Sequence, residues 1–427
     1  MAKMTAALIA EIENGIYDEI LLKLCVDPAR LSGQKERYIE ALKEFAKLYG
    51  EKAVEVYSAP GRSEIGGNHT DHQNGRVLAT SVNIDTIAVV AALEGSVIKM
   101  KSQGYRPLSV DISKLEPDER EYGTSVALIR GVAAGLAKRG YKIGGMELYC
   151  TSEVLSGSGL SSSAAFEVMI GNAISGLYNG KTADAVLLAQ IGQEAENTYF
   201  GKPCGLMDQM ACSYGGLIHI DFNHPGTPAV SPVHVEFEKY GTSLCIVDTK
   251  GSHADLTPDY AAIPTEMRAV AACFGKTLLC EVSEEDFVKT VPTLRAKTGD
   301  RAVLRALHWY AECKRADAEK EALEKDDFKE FLSVLKESGD SSYKYLQNVF
   351  STHKVEEQGV SIGLAFSEYY LGKKGVARVH GGGFAGTMQA FVPDELVAGY
   401  KENIEKIFGA GSCHVMKVRS IGGTRVM

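Results

Sequence analysis

No stretch of this 427-residue chain reaches the run of about 18–20 apolar residues that a membrane-spanning helix needs. Residues 1–17 also lack the basic region followed by an apolar run that is typical of a secretory signal. Basic residues are not in excess, because 46 Lys and Arg stand against 55 Asp and Glu, for a formal net charge of −9. We therefore expect a cytoplasmic protein that binds neither a membrane nor nucleic acid, since nucleic-acid binding normally needs a basic face.

Several motifs of well-known sites are also missing. None of the nine cysteines forms a Cys-x-x-Cys pair, so we expect free thiols in a reducing compartment and no zinc knuckle. A P-loop needs a glycine, four residues and then Gly-Lys-Ser/Thr. The Gly-Lys-Thr triplets at 180–182 and 275–277 have Ser175 and Val270 where that first glycine should be. No Gly-x-Ser-x-Gly elbow occurs in the serine-rich segment 155–165, which argues against a serine hydrolase.

The length of the chain suggests two or three domains, at about 100–200 residues per domain. Three prolines within residues 223–232 make this segment the best candidate linker. We therefore predict one domain at residues 1–225 and a second at residues 226–427. Strand and helix patterns are mixed without strict βαβ alternation, which favours an α+β fold over a doubly wound sheet. Residues 1–50 are predicted to be helical and carry no recognisable chemistry.

The most informative segment is rich in serine and glycine, because residues 155–165 read Leu-Ser-Gly-Ser-Gly-Leu-Ser-Ser-Ser-Ala-Ala. Glycine lets a backbone approach a ligand closely, and the free N–H groups at the start of the helix predicted from Ala164 suit an anion. The segment carries no charge that would repel phosphate. It is therefore a candidate phosphate-binding loop, and a flexible turn with a capping serine is the alternative interpretation.

A second segment, residues 60–75, follows a short predicted strand that ends at Pro60-Gly61, and is predicted to be a polar loop. Asn68, His69 and Asp71 offer an amide, an imidazole and a carboxylate, which donate to or accept from neighbouring hydroxyl groups of a sugar. The loop is therefore a candidate sugar-binding site. Two other interpretations stay open: a metal site with the spacing His-x-x-His around that aspartate, and a polar surface loop without a ligand.

A third feature is one carboxylate, Asp208, within the apolar stretch Cys-Gly-Leu-Met-Asp-Gln-Met. Aspartate is seldom fully buried unless it is paired or functional. Glu196 lies shortly before it in the sequence, and two carboxylates near a phosphate-binding loop suggest one metal ligand and one base. Arg62 is a candidate partner for a carboxylate or a phosphate. A helix N-cap is the alternative role for Asp208.

Four segments resemble four motifs of the GHMP kinases in the same order and at similar spacing, with most similarity to the galactokinases. Residues 61–77 are similar to the signature G-R-x-N-x-I-G-E-H-T-D-Y-x-x-G-x-V, and residues 159–164 to G-L-S-S-S-A. Residues 205–209 are similar to G-x-M-D-Q, and residues 381–386 to G-G-G-F-x-G. One such motif is weak evidence, whereas four in order, spanning about residues 50–425, are specific to the family.

The resemblance implies a two-domain α+β fold, with a ribosomal-S5-like N-terminal domain and a ferredoxin-like C-terminal domain. It also implies an ATP-dependent sugar 1-kinase that converts D-galactose and ATP to α-D-galactose 1-phosphate and ADP. Asp208 would deprotonate or orient the anomeric hydroxyl of the sugar. Arg62 would keep Asp208 ionised and stabilise the charge that develops during transfer.

The binding residues implied by the resemblance fall into three groups. The ATP phosphates would contact Gly157, Ser158, Gly159, Leu160, Ser161, Ser162 and Ser163. The Mg²⁺ ligands would be Ser163 and Glu196. The sugar would contact Asn68, His69, Asp71 and Tyr260. Sugar and ATP would be the partners of a monomer or a weak homo-oligomer.

The sequence departs from the family signature at four positions. Asn68 stands in place of a glutamate, Glu64 of an asparagine, Gly66 of an isoleucine and His72 of a tyrosine. Because an asparagine would not repel a carboxylate at C6 of the sugar, a kinase that acts on galacturonate is one alternative. A sugar-sensing regulator without catalysis is another, although the intact Ser163-Ala164 step argues against it.

Overall fold

The computed structural model describes residues 2–154, 159–180, 183–223, 228–251 and 256–427. In chain order its strands are β1 (Lys3–Met4), β2 (Ala53–Gly66), β3 (Arg76–Leu93), β4 (Val97–Ser102), β5 (Leu108–Asp111), β6 (Gly145–Ser152), β7 (Leu217–Asp221), β8 (Ala229–Val233), β9 (Thr242–Asp248), β10 (Val376–His380), β11 (Thr387–Pro393), β12 (Cys413–Met416) and β13 (Thr424–Arg425).

The α-helices, again in chain order, are α1 (Thr5–Glu13), α2 (Asp18–Cys25), α3 (Leu31–Tyr49), α4 (Ser125–Lys138), α5 (Ser162–Asn179), α6 (Ala185–Glu194), α7 (Met207–Tyr214), α8 (Thr257–Ala272), α9 (Glu284–Thr298), α10 (Asp300–Glu324), α11 (Phe328–Ser341), α12 (Gly359–Leu371) and α13 (Asp394–Phe408). Two π-helical segments, Ala195–Phe200 and Ser342–Leu346, directly follow α6 and α11. No helix of the described residues is long and apolar enough to cross a membrane.

The chain folds into two compact units that interleave along the sequence. The first unit consists of Met1–Arg62, Ser81–Gly216 and Val418–Met427, and the second unit consists of Ser63–Thr80 and Leu217–Lys417. These packing units differ from a single division at residue 225, because residues 63–80 pack with the later part of the chain. The domain boundary at 225/226 therefore stays a prediction about the sequence and does not describe this packing.

The first unit contains a sheet in the order β1-β2-β3-β6-β4-β5, with β13 also paired to β2. Residues two apart on β2 and β3 point to one face of this sheet. That face is covered by α1, α2 and α3, whose apolar residues pack against Val54, Val56, Ile87 and Val89. Each such buried aliphatic side chain contributes about 1.5–3 kcal/mol. The N-terminal helices predicted from sequence are therefore a packing layer of the first unit.

Strand β2 is longer than the sequence predicts, because it continues through Pro60 and Gly61 to Gly66. Pro60 lies beyond Ser58, the last residue of β2 that pairs with β13, so its missing N–H interrupts no hydrogen bond to that strand. Every residue of β2 from Val54 onward is buried, which favours continued strand over an exposed loop. Arg62 consequently lies on a strand, and the predicted loop begins only after Gly66.

The second unit contains an antiparallel sheet in the order β10-β11-β9-β12. Helices α12 and α13 pack on this sheet around a core that includes Val247, Val379, Met388 and Tyr400. A separate helical core joins α8, α9 and α10 and includes Trp309. Both units mix helices with largely antiparallel strands, so the α+β fold class is confirmed.

Candidate active site

In the first unit, Asp208 and its predicted partner Arg62 form an ion pair with two hydrogen bonds. Arg62 Nε donates to Asp208 Oδ1 at 2.7 Å, and Arg62 Nη2 donates to Asp208 Oδ2 at 3.0 Å. Such a fork of parallel charged hydrogen bonds is strong and fixes the plane of the carboxylate. The Asp208 side chain nevertheless stays 27% exposed, whereas Arg62 is 8% exposed. One carboxylate is thus held rigidly and still accessible.

The charge of Asp208 is stabilised by its neighbours. Burial alone would raise the pKa of the Asp208 carboxyl, but the Arg62 charge and hydrogen bonds from Arg62 and Ser161 lower it to about 2. The carboxylate is therefore ionised across the neutral range. Asp208 is the second residue of α7, which begins at Met207 after the cap residue Leu206. The alternative role of Asp208 as a helix N-cap is therefore wrong, because the cap lies two residues earlier.

The described part of the serine-rich loop lies beside this pair. Ser161 Oγ donates to Asp208 Oδ2 at 2.5 Å, and Arg62 Nη1 donates to the Gly159 carbonyl at 2.6 Å. The Arg62 N–H also donates to the Leu160 carbonyl at 3.1 Å. Gly61 permits this approach, since a Cβ there would lie 3.0 Å from the Leu160 oxygen.

The loop ends at the start of a helix, as predicted. Ser162 and Ser163 are the first residues of α5, so their N–H groups belong to the turn that has no partner within the helix. Ser161 precedes them with a positive φ of 58°, a strained conformation for a residue other than glycine. Gly157 and Ser158, which were also predicted to bind ATP, lie outside the described residues.

The two predicted metal ligands are also adjacent. Ser163 Oγ donates to Glu196 Oε1 at 3.0 Å, and Glu196 is buried in the π-helical segment that follows α6. Segments of π-helix are frequent at functional sites. Gly131 of α4 lets this segment approach, because a Cβ there would lie 2.7 Å from the Cβ of Ala195. Both oxygens are of the hard type that Mg²⁺ prefers.

Three residues that the sequence did not single out surround Glu196. Gln209 Nε2 donates to Glu196 Oε2 at 2.8 Å and to Glu167 Oε2 at 3.1 Å. Burial, together with the charge of Glu196, raises the pKa of Glu167 well above its ordinary value. The fold therefore disfavours the charged form of Glu167, and Gln209 fixes one oxygen of Glu196. The third residue, Lys202, contacts the other oxygen at 2.9 Å.

In the second unit, three of the predicted sugar-binding residues meet at the glycine-rich segment 381–386. Asn68 Nδ2 donates to the Gly381 carbonyl at 2.8 Å. His69 Nε2 lies 3.1 Å from the Gly382 carbonyl, and the Tyr260 hydroxyl donates to the Gly383 carbonyl at 3.0 Å. Successive carbonyls of one segment thus hold Asn68, His69 and Tyr260.

His69 presents a free acceptor. Because Nε2 faces a carbonyl oxygen, it carries the hydrogen, and the lone pair is left on Nδ1. That Nδ1 atom is buried without a hydrogen-bond partner. Burial and the proximity of His72 lower the pKa of His69 to about 3, so the ring is neutral. A ligand hydroxyl is the kind of group that would satisfy Nδ1.

Asp71 lies nearby in sequence at the start of a 3₁₀ turn, Asp71–Gln73, and its carboxylate is 3.8 Å from His72 Nε2. Within the part of the chain that the structure describes, no group of three His, Cys, Asp or Glu residues is placed to hold a metal ion. His69 also uses one ring nitrogen for the Gly382 carbonyl. The alternative of a metal site at the His-x-x-His spacing therefore has no support in this geometry.

Asn68 is fully enclosed within the second unit. Its Nδ2 donates to both oxygens of Glu64, at 3.0 and 3.2 Å. Its Oδ1 accepts from Asn348 at 2.9 Å and from Ser342 at 3.2 Å. The direct contact of Asn68 with a sugar therefore stays a prediction, and the structure places this amide in a saturated network.

The departures from the family signature are neighbours in this network. Glu64 pairs with Arg378 at 2.7 Å, with the two side chains 3% and 0% exposed. Asn68 contacts Glu64, and a Cβ at Gly66 would lie 1.6 Å from Glu319 Oε2. The glutamate missing at 68 thus has a counterpart at 64, and Gly66 leaves room for a second buried carboxyl.

Helix α10 binds the main chain of the candidate sugar-binding segment, residues 60–75. Glu312 Oε1 accepts from the N–H groups of Gly67 and Asn68, both at 3.2 Å. His308 Nε2 lies 3.0 Å from the Asn68 carbonyl, and Trp309 Nε1 donates to the Thr70 carbonyl at 3.0 Å. The i, i+1, i+4 spacing of these three α10 residues is compatible with many buried helices, so the sequence did not reveal them.

The comparisons with known proteins agree with this geometry. The family model "GHMP kinases N terminal domain" matches residues 127–216, and "Galactokinase galactose-binding signature" matches residues 43–92. Galactokinase of Actinobacillus pleuropneumoniae serotype 3 is 30% identical over 367 residues, which cover 84% of this chain and 90% of that protein.

Solved structures share the fold. Galactokinase of Lactococcus lactis, complexed with galactose, is similar with a TM-score of 0.77 and 24% identity, covering 90% of this chain and 98% of that one. Mevalonate kinase of Methanococcus jannaschii has a TM-score of 0.61 and 15% identity, covering 86% of this chain and 98% of that one. The predicted two-domain GHMP kinase fold is confirmed by these similarities. The chain belongs to the GHMP kinase family, and within it to the galactokinases.

Proposed function

We propose that this protein is a cytoplasmic galactokinase, which transfers the γ-phosphoryl group of ATP to the anomeric hydroxyl of D-galactose. The single observation that carries this proposal is the Arg62–Asp208 pair, with its accessible carboxylate 2.5 Å from Ser161 of the phosphate-binding loop. Phosphoryl transfer depends on positioning and charge neutralisation more than on covalent chemistry. An ionised, fixed carboxylate beside an anion-binding helix start supplies both.

The low pKa of Asp208, about 2, bears on its role. A carboxylate held this acidic by Arg62 is a weak base, so it does not deprotonate a sugar hydroxyl before transfer begins. It instead accepts a hydrogen bond from that hydroxyl, aims its oxygen at the phosphorus and takes the proton as the oxygen–phosphorus bond forms. Arg62 then stabilises the charge that develops on the transferring group.

ATP would bind at the start of α5, where free N–H groups and the positive end of the helix dipole face the phosphates. Ser163 and Glu196 fit a Mg²⁺ ion, because their oxygens lie 3.0 Å apart and both are hard donors. When bound, Mg²⁺ supplies neutralisation of the phosphate charge. Glu167 and Gln209 would act indirectly, by fixing the orientation of Glu196.

The sugar would contact His69, Asp71 and Tyr260. The neutral His69 ring offers Nδ1 as an acceptor, and Asp71 offers a carboxylate, so together they suit the donor hydroxyls of an uncharged sugar. Asn68, whose amide is already saturated, would contribute by holding the backbone of His69. The protein would act as a monomer or a weak homo-oligomer.

Galacturonate is the weaker candidate substrate. It is an alternative to galactose because Asn68 replaces a glutamate and removes a negative charge. In the structure, Glu64 restores a carboxylate in direct contact with Asn68, and Arg378 already neutralises it. Asn68 in place of glutamate therefore leaves Arg378 paired with Glu64 and does not free it for a sugar carboxylate. The argument for a uronic acid as substrate is lost.

A sugar panel tests the proposal. The purified protein is incubated with ATP, Mg²⁺ and galactose, glucose, 2-deoxygalactose or galacturonate, and ADP formation is followed with a no-sugar control. We expect kcat/KM for galactose to exceed that for galacturonate by at least about 100-fold, or about 2.7 kcal/mol. Absence of sugar-dependent ADP would instead support the non-catalytic sensor, and a preference for galacturonate would overturn the argument from Glu64.

A further inference from the structure

Lys202 occupies a position in the first unit that the proposed chemistry leaves without a role. Its Nζ lies 2.9 Å from Glu196 Oε1, and Ser163 Oγ donates to that same oxygen at 3.0 Å. A cation of this protein therefore contacts the carboxylate oxygen that was assigned to Mg²⁺. Glu196 is 1% exposed, whereas the Lys202 side chain is 60% exposed.

The main chain also ties Lys202 to Glu196. The Lys202 N–H donates to the Glu196 carbonyl at 3.1 Å, and Gly201, with φ of 78°, makes the turn that brings the two residues together. The ammonium is thus supplied by a residue whose backbone is anchored beside the carboxylate. Its flexible stem reaches solvent, so the ammonium has space to leave without any change in the fold.

The charges of this cluster are balanced as it stands. Asp208 is paired with Arg62, and Glu196 is paired with Lys202. Glu167 accepts from Gln209, and burial raises the pKa of Glu167, which disfavours a further charge in this cluster. A divalent cation on Glu196 would bring a +2 charge next to the +1 charge of Lys202. The two cations would repel one another at this distance, so a bound metal would disfavour the contact of Lys202 with the same carboxylate oxygen.

We propose that Lys202 is a built-in counter-cation, which holds the Mg²⁺ oxygens Glu196 and Ser163 in place before the metal arrives and must leave Glu196 for the metal to bind. This inference rests on the proposed function in assigning these oxygens to Mg²⁺. Its consequence is that the free protein binds divalent cations more weakly than its ligands alone would allow. Lys202 is a positioning residue in this account and contacts neither sugar nor transferred phosphoryl.

The alternative is an ordinary ion pair that only stabilises the fold. The chain offers a matched control for it: Lys138 pairs with Glu194 at 2.9 Å, with side chains 71% and 30% exposed. Lys138 lies in the same unit, and its partner is close to Glu196 in sequence. A purely structural lysine of this kind should change neither the affinity for a metal ion nor its site.

The test measures binding of Mn²⁺, as a probe for Mg²⁺, to the full chain without sugar or nucleotide, from the electron paramagnetic resonance signal of free Mn²⁺. Lys202→Met removes the charge and keeps the stem, and we expect it to bind Mn²⁺ about three- to tenfold more tightly than the wild type. Lys202→Arg should retain the wild-type affinity or weaken it. Lys138→Met should bind as the wild type does.

Glu196→Gln locates the effect, because it should abolish the gain when combined with Lys202→Met. Equal or weaker Mn²⁺ binding by Lys202→Met, or absence of binding in that variant, would overturn the proposal, as would a gain that survives Glu196→Gln. Circular dichroism checks that each variant is folded. The two proposals can fail separately. If the sugar panel shows no activity, the proposed reaction is lost. Tighter Mn²⁺ binding by Lys202→Met would still show that Lys202 opposes a cation at Glu196.

Discussion

Two arginine–carboxylate pairs, one in each unit, share a similar geometry and differ in their access to solvent. Arg62 and Asp208 are joined at 2.7 Å, and the carboxylate is 27% exposed. Arg378 and Glu64 are also joined at 2.7 Å, but both are almost completely enclosed. An accessible, fixed carboxylate can still contact a substrate, whereas the enclosed carboxylate of Glu64 accepts hydrogen bonds from the Asn68 amide and from Arg378. Under the proposed function, this difference suits the first pair to chemistry and the second to support of the candidate sugar-binding segment.

The largest effect is expected from a substitution that breaks the first pair, Arg62–Asp208. Asp208→Asn keeps the shape and removes the charge, so kcat should fall about 10³- to 10⁴-fold, or about 4–5.5 kcal/mol, with a small change in the melting temperature. Steady-state ADP formation and calorimetry measure the two quantities. Asp111→Asn, an exposed aspartate of the same unit, is the control and should keep wild-type kcat. Near-wild-type turnover by Asp208→Asn would show that this carboxylate is not catalytic.

The next largest effect is expected from a substitution that breaks the second pair, Arg378–Glu64. Arg378→Met leaves Glu64 buried without its cation, and the free energy of unfolding should fall by about 3–4 kcal/mol. The kcat of the molecules that remain folded should change little, because this pair touches no substrate. Urea unfolding monitored by fluorescence gives the first value. Arg295→Met, which removes an exposed pair with Asp300, is the control and should leave the free energy of unfolding nearly unchanged. A loss of kcat without a loss of stability would reverse the roles assigned to the two pairs.

The smallest effect concerns Glu319, the buried carboxyl beside Gly66. Burial, reinforced by the charge of Glu312, raises the pKa of Glu319 well above its ordinary value of 4.5, and neither oxygen has a hydrogen-bond partner. The folded state therefore favours the protonated form, and its contribution to stability is present below pH 4.5 and lost as the pH rises toward the folded pKa.

Glu319→Gln removes this titration and should stabilise the protein by about 1–3 kcal/mol at pH 7. The difference from the wild type should shrink as the pH falls toward 4.5, which urea unfolding at a series of pH values would measure. Glu324→Gln, a more exposed residue of the same helix, should show no such trend. If the stability difference between Glu319→Gln and the wild type stayed constant across pH, the pKa of Glu319 would be the same in the folded and unfolded states, and this prediction would be wrong.

The sequence predicted the centre of the first unit well. Arg62, Ser163 and Asp208 lie in motifs whose order and spacing resemble one family, and the same resemblance implied Glu196 as a metal ligand. The structure brings these four residues into two contacting pairs. The sequence did not predict that β2 runs through Pro60-Gly61. A proline ends a strand only where its missing N–H would have bonded to a neighbouring strand, and the sequence does not show where β13 stops pairing with β2. The sequence also contained no signal for Lys202, since a lysine after a glycine has no distinctive pattern.

The network around Asn68 was beyond sequence reasoning for a different reason. Its members Glu64 and Arg378 are 314 positions apart in the chain, and nothing local to either one indicates the other. The substitution at 68 therefore looked like the loss of a charge. The glutamate at 64 is visible in the sequence, but only the fold reveals that it contacts Asn68 and is already neutralised by Arg378. Substrate preference could not be inferred from one position without its spatial neighbours.

The contact between Gly66 and Glu319 also constrains how such a sequence could have arisen. A side chain at 66, such as the isoleucine of the family signature, would occupy the space that the Glu319 carboxyl now fills. The nearest atoms all belong to the end of the Glu319 side chain, so a larger residue at 66 requires that carboxyl to move or to be replaced. The residues accepted at 66 and at 319 are therefore coupled, and isoleucine at 66 should be better tolerated together with a shorter side chain at 319.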